Sequence, residues 1–466
     1  MNWTEFIIST IIEIIVVFVM FFLFLLIFTR PLIKWVMRIT IKRLYSKEYK
    51  ENIWEVITAS TRTDPITIVE NSLRSHFGQI IKRPFGTPRK FINFDGLVFS
   101  PAQLHRLPTH RTNAVNMKVT IGPNAKKPLV IDIPLLSAPM GYGVALSKKV
   151  KRAIAKATAA VGTAANSGQG LFLPEEREFA KYFILQYTPC SWSKDPEVLR
   201  QADAIEIYIG QGANAASPLY VAPKDLTGKI REKFRLSPNE TLVIPSNSEE
   251  MIQPEDLKEL VNDLREITAG IPIGIKICPC AELEADLEIA IKANVDFISL
   301  DGGQAGSSGG APIFEDDFSL PTIYALSRAV QYLNKRGLKD KISLLIGGGF
   351  NTPGECLKAL ALGANAVYMG TALIWSMTHD QISKTMPWEP PTQLIYYSGK
   401  MKNKFDENLA THYLINFLNS CVKEMKEAIR ALGKTSIQEV NAEDLVALDE
   451  ITSNITKVRL AYEKKR

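Results

Sequence analysis

ISLLIGGGFNTPGECLKALALGANAVYMGT, running from Ile342 to Thr371, is the stretch whose reading decides the fold. An apolar strand, Ile342–Ile346, ends in three glycines; a helical segment from Pro353 to Leu362 follows, Gly363 turns the chain, and a second strand, Ala366–Met369, ends in Gly370 and Thr371. Strand, helix and strand in that order form a parallel βαβ unit. Both strands stop at residues that expose backbone. Glycine N–H groups can converge on an anion with no side chain in the way, and Thr371 adds a hydroxyl. In a (β/α)8 barrel the loops after the last two strands commonly hold a phosphate. The run therefore predicts the last third of such a barrel, built around a phosphorylated cofactor. It also fits an ordinary βαβ unit whose glycines serve turns alone.

Working outward, the alternation continues upstream. From Pro134 the sequence predicts strands at Leu135–Ala138, Gly162–Ala165, Ile184–Tyr187, Ala204–Ile209, Ile273–Ile277 and Phe297–Leu300, each with helical material before the next. With the opening pair this completes an α/β (β/α)8 TIM barrel over residues 131–380. The strand ends are unusual: PMGYG, NSGQG, GQGAN, DGGQAGSSGG, GGG and GT follow six of them. Lys276 sits inside the apolar strand GIKIC, where a lysine is costly unless something anionic meets it. The other reading is a lysine that snorkels outward to water. A hairpin is expected over Gly122–Asn124, between Val119–Ile121 and Val130–Ile133, and another lead-in strand at Phe94–Phe99.

The chain of 466 residues, 46% hydrophobic and 22% charged, has room for a barrel of about 250 residues with attachments. Phe6 to Phe28 is almost entirely apolar, with Glu13 its one charge, and matches the roughly 20 residues needed to cross a bilayer. Lys and Arg cluster after it, from Arg30 to Lys50, which predicts a single-pass anchor (1–29) with the remainder in the cytoplasm. Leu32–Tyr45 reads either as a helix lying on anionic lipid or as a plain positive flank. The net charge of +6 owes much to this cluster, so it points to a membrane surface and not to nucleic acid. The scattered cysteines, Cys190, Cys278, Cys280, Cys356 and Cys421, suggest reduced thiols. His105 and His110, separated by Pro108, lack metal-ligand spacing. Residues 30–130 read as a basic segment and lead-in, and 381–466 as a helical extension, with helical periodicity over Phe405–Ala431. His379 and Asp380 are adjacent on a helix and point in different directions.

The ordered motifs PLLSAPMGYG, NSGQG, QYTP, IGQGAN, IKI, ISLDGGQAGSSGGAP and LLIGGGFNTPGECLKALALGANAVYMGT make the chain resemble the FMN-binding synthase domain of glutamate synthases, and more closely their stand-alone, membrane-anchored relatives. The resemblance covers about residues 90 to 450. It implies an FMN-dependent oxidoreductase that interconverts a 2-oxo acid plus ammonia (2-oxoglutarate) and an amino acid (glutamate) by hydride transfer. It implies backbone against the flavin ring at Ala138, Pro139, Met140 and Gly141, Asn166 and Ser167 near the ring's polar edge, and Lys276 beside the N1–C2 carbonyl region. There a cation stabilises negative charge on reduction. Gly347, Gly348, Gly349, Gly370 and Thr371 are implied as the phosphate site, and Asp301, Gly302 and Gly303 as the border of flavin and substrate.

Several departures shape the expectation. The family usually bears three cysteines after the eighth strand for a 3Fe–4S cluster; IWSMTHDQISKTMPWEPPTQ has none, so no such cluster is expected. Gln169 stands where the family usually has a glutamate, which leaves Gln169, Asn166 and Lys276 as the catalytic candidates. No glutaminase cysteine opens the chain and no nicotinamide-binding glycine motif is present. An outside electron donor or acceptor and an ammonia-supplying partner are expected. The alternative is a flavin-bearing redox sensor or scaffold without glutamate synthase turnover.

Overall fold

The computed structural model describes residues 2–226, 229–246 and 250–464. The chain divides into two compact units, Met1–Ile81 and Lys82–Arg466, so the lead-in from Lys82 onward belongs with the barrel rather than with the basic segment. In the first unit one helix spans Trp3–Ser46, continues through Pro31, and buries none of its side chains. The apolar run and the basic Leu32–Tyr45 stretch are thus one continuous rod. Two shorter helices follow, Trp54–Arg62 and Pro65–Phe77; Asp64 caps the second, its side chain accepting the Ile66 N–H, and Gly78 ends it in the left-handed conformation.

The second unit is built on eight parallel strands: β1 Leu135–Ser137, β2 Ala164–Asn166, β3 Tyr182–Tyr187, β4 Ala204–Tyr208, β5 Ile273–Ile277, β6 Phe297–Asp301, β7 Ser343–Gly347 and β8 Ala366–Met369. They pair in chain order from β2 to β8, and β8 then pairs with β1. The β1–β2 seam is closed by Thr163, whose Oγ1 donates to the Leu135 carbonyl at 2.6 Å, and by the Asp132 N–H on the Gly162 carbonyl at 2.7 Å. β5 and β8 fall where the sequence put them. β2 does not: Gly162, expected to open it, has φ +75° and ends helix Lys148–Val161, so the strand starts two residues later.

Burial on both faces explains the near-continuous apolar strands, but the side facing the barrel axis is not wholly apolar. The ladder places Glu206 beside Gln186 and Gly274, and Lys276 beside Tyr208 and Ser299. Glu206, which is fully buried, accepts from Asn166 Nδ2 (3.3 Å), Gln186 Nε2 (2.9 Å), Ser299 Oγ (2.7 Å) and Tyr368 Oη (2.9 Å). Donors from four other strands therefore meet one carboxyl group, as a buried charge or polar group requires.

Outside the barrel, the expected hairpin pairs Val119–Ile121 with Leu129–Ile131. The expected strand at Phe94 begins with a 3-10 turn and becomes Leu97–Phe99, paired antiparallel with Leu445–Ala447 from near the C-terminus. Helix Glu407–Ala431 packs on helices Lys148–Val161 and Thr371–Thr378, burying Leu414, Leu418, Val422 and Met425. The excursion after β4 carries a small hairpin, Leu219–Val221 with Leu242–Ile244, that the sequence reading left unassigned.

Candidate active site

The C-terminal ends of the strands surround one cavity of about 740 Å³. Glycine geometry shapes one wall. Gly348 and Gly349 have φ +113° and +79°, a conformation that favours glycine, and a methyl on Gly348 would lie 2.6 Å from Thr322 Oγ1. Gly370 is different: a methyl there meets only Ala138 Cβ, at 3.4 Å, so its open side faces the cavity. Gly370 is also the N-cap of helix Thr371–Thr378, and no side chain caps that end. The helix's first N–H groups lack intrahelical partners and carry the positive end of its dipole. Glycine backbone, an uncapped helix start and the Thr371 hydroxyl form a cradle with the donor chemistry for a phosphate.

A buried ion pair is supplied from β5 and β6. Lys276 is 3% exposed and its Nζ lies 3.5 Å from Asp301 Oδ2 and 5.7 Å from the centroid of the Tyr368 ring. The outward, snorkelling orientation does not occur. Asp301 also accepts the Gly212 N–H at 3.3 Å, and its Oδ1 would be 2.6 Å from a methyl on Gly347. Tyr368 reaches the cavity with its ring while its hydroxyl lies in the Glu206 network; burial first, and Glu206 second, push that hydroxyl well above the usual tyrosine range.

Of the residues singled out from the sequence, Ala138, Pro139, Met140, Gly141, Gln169, Lys276, Asp301, Gly347, Gly348, Gly349, Gly370 and Thr371 line this cavity. Asn166, Ser167, Gly302 and Gly303 do not. The Asn166 amide is turned to the barrel axis, donating to Glu206 and to Tyr368 Oη (3.3 Å), while its carbonyl oxygen Oδ1 accepts the Gly168 N–H at 3.0 Å. Ser167 Oγ bonds its own loop, donating to the Gly168 carbonyl and accepting from Gln186 N. Gly302 and Gly303 are held from behind, their N–H groups donating to Gly347 and Leu320 carbonyls. These residues support the wall rather than form it.

The lead-in was read without any site residue, yet it builds a wall. Arg83 and Gly310 exchange both backbone hydrogen bonds, Phe85 N–H donates to the Ser307 carbonyl at 2.9 Å, and Arg83 forks onto Asp316 at 2.8 and 2.9 Å. This strap carries Phe85, Thr87, Arg89 and Lys90 to the cavity. Gly86, between Pro84 and Pro88, would put a methyl 2.5 Å from the Ala305 carbonyl oxygen. The signal that could have exposed it was glycine and proline punctuation within a basic run, KRPFGTPRK.

The other candidates stay apart from the cavity. His105 and His110 are exposed, and His379 and Asp380 lie exposed past the end of helix Thr371–Thr378, where Tyr413 donates to Asp380 Oδ2 at 3.3 Å. Burial pushes the Cys278 thiol up to about 11 and also raises Cys280, whose Sγ donates to Asp286 at 3.4 Å. Neither is a ready thiolate for a metal. Among the described residues no three His, Cys, Asp or Glu side chains come together as metal ligands.

Fold and cavity define an α/β barrel with a cradle of donor groups at the ends of β7 and β8. The family model for the conserved region in glutamate synthase matches residues 95–435, and the chain belongs to the glutamate synthase family. It is 30% identical over 421 residues to the glutamate synthase large subunit-like protein of Rhizobium meliloti (strain 1021), covering 86% of this chain and 95% of that one. It is 29% identical to the archaeal glutamate synthase (NADPH) of Archaeoglobus fulgidus, covering 72% of this chain but 66% of the relative. Among solved structures, a flavocytochrome b2 variant with sulfite bound superposes with a TM-score of 0.50 at 18% identity, over 80% of each chain, a likeness of fold.

Proposed function

We propose that the protein is an FMN-dependent oxidoreductase of glutamate synthase type, interconverting a 2-oxo acid plus ammonia and the corresponding amino acid, with 2-oxoglutarate and glutamate as the pair. The observation that carries the proposal is Lys276, a buried cation facing the same cavity as the glycine cradle. The residues present fit FMN: Gly348, Gly349, Gly370 and Thr371 would hold its phosphate, and Ala138 to Gly141 would lie against its ring. When bound, FMN supplies two-electron hydride chemistry. The 2-oxo acid and ammonia condense with loss of water to an imine, and hydride plus a proton convert the imine to the amino acid. Lys276 offers positive charge where reduction develops negative charge, and Asp301, 3.5 Å away, fixes its ammonium. Gln169 presents a neutral amide to the cavity and orients substrate without taking a proton.

Helix Trp3–Ser46 is long and apolar enough to cross a membrane. We read it as an anchor in lipid, with the barrel on the cytoplasmic side and electrons and ammonia delivered by partners. The second reading, a flavin-bearing redox sensor, is favoured by Gln169 in place of a carboxylate and opposed by the buried Lys276. Anaerobic mixing of the flavin-loaded protein with glutamate separates the two. Bleaching of the flavin, and glutamate formation from 2-oxoglutarate and ammonium with an artificial reductant, are expected. Neither occurring with any amino acid tested leaves the sensor.

A further inference from the structure

Lys151 is fully buried, although it belongs to the basic helix Lys148–Val161 on the outside of the barrel. Its ammonium donates to three carbonyls: Met140 at 2.7 Å, Asn166 at 2.8 Å and Ser167 at 3.2 Å. An ammonium has three hydrogens, and the two shorter of these contacts, to Met140 and Asn166, join the loops after β1 and β2. Glu176, equally buried on helix Pro174–Phe179, lies 2.8 Å from the same nitrogen and is its ion-pair partner. The ammonium thus joins Glu176 on one side to the loops after β1 and β2 on the other.

That arrangement has a directional consequence. A trans peptide points its N–H opposite to its C=O. The N–H groups behind the Asn166 and Ser167 carbonyls are taken up, by the Ile184 carbonyl at 3.0 Å and by Asn166 Oδ1 at 3.0 Å. The N–H behind the Met140 carbonyl belongs to Gly141, a cavity-lining residue, and points away from Lys151. We infer that Lys151 is a positioning residue for the cofactor ring: by gripping three carbonyls from behind, it locks the two loops together and presents the Gly141 N–H to the ring side of the cavity. The inference rests on the FMN reading for the identity of the ring, but the locking of the loops does not.

The test uses the full chain in detergent, with Lys151→Met and, retaining two donors, Lys151→Gln. Both variants lose stability whether Lys151 positions or merely packs, so melting does not discriminate. Two readouts do. Without FMN, amide exchange is expected to quicken at 138–142 and 166–169 more than at the β7 and β8 loops. With flavin, affinity for FMN and for riboflavin is expected to fall together, by tenfold or more, with a shifted visible band and reduction potential. An unchanged ratio of the two affinities marks the ring, not the phosphate, as what is lost. Exchange spread evenly over the barrel, flavin affinity and spectrum equal to the unaltered protein's, or failure of both variants to fold would each overturn the assignment. If the unaltered protein takes up no flavin, the FMN reading fails while the exchange pattern still judges the clamp.

Discussion

Replacing Gly370 with alanine isolates the phosphate cradle from the fold that carries it. The added methyl meets one protein atom, Ala138 Cβ at an ordinary 3.4 Å, and the pair φ −116°, ψ −80° avoids the left-handed region but lies outside the helical and extended wells. Neither clash nor left-handed strain is introduced, and the sparsely populated backbone pair costs about 1 kcal/mol, so the melting temperature without ligand should fall by about 2–4 °C. The methyl instead enters the cavity where the phosphate is expected. Forcing one extra carbon into a packed contact costs about 1–3 kcal/mol, or about 5- to 140-fold in Kd. Fluorescence titration with FMN and with riboflavin should show that loss for FMN and little for riboflavin, which has no phosphate. Gly348→Ala is the informative contrast, since its φ of +113° and a 2.6 Å approach to Thr322 Oγ1 damage fold and site together. An FMN affinity within twofold of the unaltered protein's, with the variant folded, would refute the placement of the phosphate at Gly370.

Three further outcomes are expected. Lys276→Met should lower the bound flavin's reduction potential, by about 30 mV for each 1.4 kcal/mol of lost charge stabilisation; a potential unchanged in spectroelectrochemical titration removes the role given to that lysine. Glu206→Leu leaves Asn166, Gln186, Ser299 and Tyr368 without their shared acceptor, and at about 1–3 kcal/mol for each stranded donor the urea midpoint should fall by the equivalent of ~4 kcal/mol or more, whereas a loss under ~1 kcal/mol would mean the network is dispensable. Burial, opposed by Lys151, pushes Glu176 up to about 7 from the usual 4.5. The folded state therefore holds a proton that the unfolded state releases, so stability falls as pH rises from about 4.5 to about 7 and levels off above it, by on the order of 3 kcal/mol. Glu176→Gln should remove that slope; equal slopes in denaturant titrations across this range would contradict it.

The fold was legible where local and long-range signals agreed. β5 and β8 carry apolar runs bounded by turns, broken in β5 by Lys276 alone, and were read to the residue, and the β7 loop declared itself through glycines whose φ the turn demands. Lys276 stood out as a charge in an apolar strand. Glu206, in AIEIY, sends the same kind of signal from β4 and was passed over, because what makes it matter is four donors from strands up to 162 positions away. The strap from Lys82 escaped for a related reason: its partners lie more than 200 residues downstream, and local pattern gives no register across that distance. Asn166 and Ser167 illustrate the limit from the other side. Motif order placed them at the end of the right strand, but only the hydrogen-bond geometry shows that the Asn166 side chain turns inward, that Ser167 Oγ is taken up by backbone, and that the buried Lys151 reaches their carbonyls.

On the proposed function, the cavity at the ends of β7 and β8 holds FMN. The most direct measurement is the absorption spectrum of the full chain purified in detergent, followed by identification of whatever flavin denaturation releases. Stoichiometric FMN, bound as purified or taken up on titration, is the result expected. A colourless protein that takes up no FMN, with its barrel intact by circular dichroism, would contradict the account.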